Sequence, residues 1–142
     1  MTAAPGTGAT GPVGIVLVSH SGPVARASAE LAVALAGAGP DAPVAAAGGT
    51  PDGGLGTSSE LIAEAAAAVD RGAGVAVLVD LGSAVLTVKA MLAEGDELPP
   101  DTRLVDAPFL EGAIAAVVTA AAGGDLASVE AAAGEAYGYR KA

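Results

Sequence analysis

The chain has 142 residues, enough for one domain with a single core and too few for two. Hydrophobic residues make up 52% but aromatics only 2%, so the core has to be built from closely packed Ala, Val, Leu and Ile. A net charge of −10 argues against nucleic acid and anionic membrane as partners; the lack of cysteine excludes disulfides and thiolate metal sites, and one histidine excludes the usual multi-histidine zinc site.

Residues 1–12 ("MTAAPGTGATGP") are small and uncharged and read as a disordered start, with one domain expected over 13–142. Gly6 to Gly11 matches the dinucleotide pattern GxGxxG, but the pattern needs a preceding strand and here it comes before the first one. Val13 to Val18 is short, apolar and β-branched and predicts a buried strand. It stops at "SHSG", which holds His20, the only histidine. Pro23 then opens a helix, with Val24, Ala27, Leu31 and Leu35 on the expected inward face and an end near Gly37.

A weaker strand over Pro43 to Ala47 runs into "GGTPDGGLGTSSE". There Thr57-x-x-Glu60 has the spacing of a capping box, and Leu61, Ala65 and Val69 would line the following helix to Arg71. The clearest strand is Gly74 to Asp80, "GVAVLVD". "LGSA" leads into a helix from Ser83 to Ala93 with Val85, Val88 and Leu92 inward. After a proline-marked loop come a short strand over Arg103 to Asp106, a helix from Leu110 to Ala121, and a last helix with Asp125 as N-cap.

Strand–helix alternation of this kind predicts an α/β fold: an open, doubly wound parallel sheet of about four strands, order 2-1-3-4, with helices on both faces. The charge-free stretch Gly112 to Gly124 is 13 residues long, short of the ~20 needed to cross a bilayer. With no charged segment ahead of the first apolar run, a cytoplasmic protein is expected.

Sites in open parallel sheets form beyond the carboxyl ends of the strands. His20 follows the first strand and Asp80 closes the third, so neighbouring strands would bring imidazole and carboxylate together. A carboxylate fixes the tautomer of the ring and leaves the other nitrogen as a nucleophile. Ser21-Gly22, Gly56-Thr57 and Leu81-Gly82-Ser83 stand at three helix starts on that edge, where free N–H groups suit an anion. With no Walker motif, no metal ligand cluster and lysines only at 89 and 141, the pattern fits a phosphohistidine relay better than a kinase acting alone. It calls for no cofactor. Arg103, Asp106 and Glu111 also lie near the fourth strand, where surface roles suffice for them.

The stretches "IVLVSHS", "GGTPDGGLGTS", "VLVDLGSAVLTVKAML" and "LVDAPFLEGAIAAV" together resemble the phosphotransfer subunits of phosphoenolpyruvate-dependent dihydroxyacetone kinases, within the mannose-type enzyme IIA family of the sugar phosphotransferase system. The resemblance runs from Val13 to Ala121. It implies that His20 is transiently phosphorylated, that Asp80 is its hydrogen-bonded partner, and that the protein is a homodimer. It also implies a path: the carrier HPr phosphorylates His20, which hands the group to ADP on the kinase's nucleotide-binding subunit. Some family members continue into fused HPr-like and enzyme I-like domains, so here separate carriers or a longer chain are expected.

Transporter IIA domains usually have two glycines and a proline after the third-strand aspartate. "DLGSA" departs from that pattern and favours the kinase subunit over a sugar transporter component. A receiver domain would need an acidic pair where Ser19-His20 stands. A regulatory or ligand-binding module of the same fold is the other alternative.

Overall fold

The computed structural model describes residues 11–142. The expected disordered start and the glycine pattern lie outside them, apart from Gly11 and Pro12. Four strands, β1 (Gly14–Ser19), β2 (Val44–Gly48), β3 (Val75–Val79) and β4 (Thr102–Leu104), form one sheet in the order β2-β1-β3-β4. All three pairings are parallel. The helices are α1 (Gly22–Ala36), α2 (Ser59–Val69), α3 (Gly82–Glu94), α4 (Phe109–Ala121) and α5 (Leu126–Glu135), followed by a 3-10 turn at Ala136–Gly138. This is the open α/β sheet that the alternation predicts.

Each strand residue faces the opposite side from its neighbour, so the two central strands supply two cores at once. Ile15, Leu17, Ala76 and Leu78 pack with α1, α4 and α5. Val16, Val18, Val75 and Val77 pack with α2 and α3. All six residues of β1 are buried.

The helix faces correct the sequence reading. On α1 the buried residues are Ala25, Ala29 and Ala32, while Val24, Leu31 and Leu35 are 48%, 42% and 61% exposed. The alanine stripe lets the helix lie close to the sheet, and the larger side chains are displaced outward because no room remains beneath them. On α3, Ala84, Val88 and Met91 are buried, with Val85 and Leu92 at the margin. On α2, Ile62 and Ala66 join Ala65 and Val69 in the core, and Leu61 packs at its edge.

Helix ends follow local chemistry. Gly37 closes α1 in the left-handed conformation at φ 64°, and Asp125 caps α5 by accepting from the Ser128 N–H. The expected capping box does not form, because the N-cap lies one residue later and the position three beyond it is Leu61. Ser58, not Thr57, is the N-cap of α2 and accepts from the Leu61 N–H at 3.2 Å. Glu60 lies in the first turn, where its charge suits the helix dipole.

Candidate functional site

The register that builds the core also builds the site. Ile15 pairs with Ala76, and Leu17 with Leu78; one step further along the same face, Ser19 comes level with Asp80. The Asp80 N–H donates to the Val18 carbonyl at 3.1 Å, which ties the chain just beyond β3 to the end of β1. His20 Nδ1 lies 3.0 Å from Asp80 Oδ1, and the two side chains are 28% and 18% exposed. The ring is therefore held from behind yet reachable from solvent.

Four donors converge on the Asp80 carboxylate. Oδ1 faces His20 Nδ1 and accepts the Leu81 N–H at 2.7 Å. Oδ2 accepts the Ser19 hydroxyl at 2.9 Å and the His20 backbone N–H at 3.1 Å. Partial burial pushes the Asp80 pKa up, but the hydrogen bonds from the His20 N–H, the Ser19 hydroxyl, the His20 ring and the Leu81 N–H outweigh it. The carboxyl is held below its ordinary range and is ionised. An ionised carboxylate can only accept, so Nδ1 carries the ring proton and Nε2 presents a lone pair. Nε2 is in close contact with the Ser83 hydroxyl, in the first turn of α3. A hydroxyl there donates to the lone pair at rest and would donate to an oxygen on any group that Nε2 acquires.

The three helix starts predicted for this edge are present. Ser21 is the N-cap of α1, its hydroxyl accepting from the Val24 N–H, and Gly22 is the first helical residue. The Gly56 N–H donates to the His20 carbonyl at 2.9 Å, which brings the β2–α2 loop to the histidine. Beside it the Thr57 hydroxyl oxygen is buried and has no hydrogen-bond partner among the described residues. Leu81 is the N-cap of α3 and no side chain caps that helix, so Asp80 is not serving as its cap. Gly82 opens α3 between Leu81 and Ser83.

Other residues singled out in the sequence are engaged elsewhere. Arg103 pairs with Glu130 at 2.9 Å, Glu111 with Lys141 at 2.7 Å, and Asp106 accepts from the Tyr137 hydroxyl at 2.7 Å. Among the described residues, three acidic groups close enough to share a cation occur at Glu94, Asp96 and Glu97, all exposed. They lie at and just past the far end of α3, roughly 18 Å of helix from Gly82. Ser19 is the residue that sequence reasoning passed over. The available signal was a hydroxyl at the end of an otherwise apolar, fully buried strand.

The family model described as the PTS system fructose IIA component, EIIA-man, matches residues 14–130. The phosphoryl donor subunit DhaM of the PEP-dependent dihydroxyacetone kinase of Escherichia coli K12 is 34% identical over 119 residues, 82% of this chain but 25% of that protein. The corresponding subunit of dihydroxyacetone kinase 2 of Listeria innocua is 36% identical over 107 residues, 75% of this chain and 84% of that protein. The chain thus spans about a quarter of the first relative and most of the second. Among solved structures, a protein of unknown function, EF1359, is similar with a TM-score of 0.73 and 31% identity, over 87% of this chain and 94% of that one. With the family model spanning β1 to within α5 and two curated relatives above 30% identity, the chain belongs to the mannose-type enzyme IIA family of the phosphotransferase system.

Proposed function

We propose that this protein is the phosphohistidine relay of a phosphoenolpyruvate-dependent dihydroxyacetone kinase. The carrying observation is a lone histidine whose Nδ1 is bound by an ionised, four-fold hydrogen-bonded Asp80 while its Nε2 stays reachable. The names of the two DhaM relatives supply the kinase context.

In the first half-reaction the Nε2 lone pair attacks the phosphorus of a phosphorylated HPr carrier. The donor's P–N bond breaks, and its electrons return to the carrier's nitrogen. The His20 ring gains positive character as the new bond forms, and the Asp80 carboxylate offsets it while the proton stays on Nδ1. Ser83, with the N–H groups of Gly22 and Gly82 and the Thr57 hydroxyl, would hold the phosphoryl oxygens, without metal, while the N–H groups of Ser21, Gly56 and Leu81 are spent on the Ser19 hydroxyl, the His20 carbonyl and Asp80 and shape the pocket instead. In the second half-reaction an oxygen of the ADP β-phosphate, on the kinase's nucleotide-binding subunit, attacks. The Nε2–P bond breaks and ATP forms on the partner. A cytoplasmic homodimer completes this reading.

The family model's own description favours one rival, a sugar transporter component with the same histidine chemistry and a permease acceptor. The test separates them. Incubation with phosphoenolpyruvate, enzyme I and HPr is expected to add one acid-labile phosphate, lost in His20→Ala. Mixing the phosphorylated protein with the ADP-loaded subunit is expected to yield ATP. An adduct that survives mild acid, or persists in His20→Ala, overturns the relay; transfer to a permease with no ATP moves the protein to the transporter class.

A further inference from the structure

Ser19 ends β1 at 2% exposure and is, with Thr102, one of two buried polar residues among those described. Serine favours turns and caps over strand interiors, and its neighbours on β1 are Val and Leu. Its hydroxyl is used twice. It donates to Asp80 Oδ2 at 2.9 Å and accepts the Ser21 N–H at 3.1 Å. Ser21 is in turn the N-cap of α1. One buried hydroxyl thus links the carboxylate behind the histidine to the helix start in front of it.

Oδ1 is the oxygen that faces the ring. The Leu81 N–H holds Oδ1 from one side, and what holds Oδ2 fixes the rest of its orientation, because the two oxygens turn together about the Cβ–Cγ bond. Without the Ser19 hydroxyl, Oδ2 keeps only the His20 backbone N–H. We propose that Ser19 is a positioning residue: it locks the Asp80 carboxylate so that the ring is kept in its Nδ1–H form with Nε2 unprotonated. The role rests on the relay reading for its consequence in catalysis, but not for its effect on the ring. Ser19 never contacts the phosphoryl group; its influence passes through Asp80.

The test compares Ser19→Ala, Ser19→Cys and Ser19→Thr by two readouts. Ring nitrogen shifts in 15N-histidine spectra of the unphosphorylated protein report the tautomer. The expected result is a single Nδ1–H form in the parent and a mixture containing Nε2–H in Ser19→Ala. Steady-state phosphorylation by HPr is expected to show kcat lowered about 10- to 100-fold, as for other buried partners of a working side chain. KM for the carrier should hold, since no surface residue changes. Ser19→Thr keeps the hydroxyl and is expected to recover both readouts, and Ser19→Cys, a weak donor, to fall between. If Ser19→Ala fails to fold, the Cys and Thr variants give the same comparison. A parent-like tautomer and kcat in the variant lacking the hydroxyl overturn the proposal, whereas a shifted tautomer in a protein that never takes phosphate supports it and removes the relay reading instead.

Discussion

Asp80 separates an orienting role from a structural one at the scale of a single residue. Asp80→Asn keeps the size of the side chain but places an amide among four donors, so the ring loses its fixed tautomer. Phosphoryl transfer is expected to slow about 10²- to 10⁴-fold, measured in single turnovers with phosphorylated HPr. Transfer at the parent rate would reduce Asp80 to a structural group. The same residue carries a pH signature. Its folded pKa lies below that of an ordinary aspartate, so the stabilisation from ionised Asp80 is fully present above the ordinary value and is lost as pH falls through the folded one. Urea midpoints of the parent and Asp80→Asn should therefore differ at neutral pH and converge in acid; a gap independent of pH would contradict the assigned ionisation. His20 and Asp80 were legible in the sequence because both stand where an apolar run ends, and parallel strands bring such ends to one edge. Ser19 was not, because a serine before "HSG" reads as the start of a loop, and only the register reveals it as the last inward residue of β1.

Among the elements, the site depends on how closely β2 and its loop approach the start of α1. A Cβ on Gly48 would lie 2.5 Å from the Ser21 carbonyl oxygen and 2.7 Å from the Gly22 Cα. Both are backbone atoms, so Gly48→Ala has to push strand and helix apart. A loss of about 1 to 3 kcal/mol is expected from such overpacking, together with slower phosphorylation as Ser21 and Gly22 shift. Gly82 provides the contrast. None of the described residues comes within 4 Å of a Cβ there, and Gly82→Ala keeps the N–H offered to phosphate. That variant is expected to match the parent in transfer and to gain up to about 1 kcal/mol. Thermal melts and transfer rates on the pair check both, and the reverse ranking would show that the close approach does not shape the site. The strands and their order could be read from runs of Val, Leu and Ile, whereas the inward face of α1 was misread and that of α3 only partly read, with Val88 buried but Val85 and Leu92 at its margin. Reading those faces by hydrophobicity assumes that the largest side chains point inward. In α1 the contact with the sheet is set by Ala25, Ala29 and Ala32, and the closeness of that contact depends on tertiary packing that no single helix encodes.

Over the whole molecule, charge decides how a partner arrives. The chain carries 16 acidic against 6 basic residues, and two of those basic side chains, Arg103 and Lys141, are already engaged with Glu130 and Glu111. The field is strongly negative and, on the proposed relay reading, would draw a basic carrier surface toward an exposed edge bearing Leu55 and Leu81, 81% and 63% exposed. Raising the ionic strength shortens the reach of that field from about 10 Å at 0.1 M to about 3 Å at 1 M. The second-order rate of phosphorylation by HPr should then fall, about tenfold between roughly 50 and 500 mM salt by analogy with other steered encounters. A small anionic donor such as phosphoramidate meets the same field with the opposite result. It is repelled at low salt, so its rate on His20 should stay level or rise over the same range. The two donors reach the same nitrogen, and any effect of salt on the ring or on Asp80 would move both rates in one direction. Divergence of the two therefore isolates steering by the charged surface, and parallel curves would rule it out.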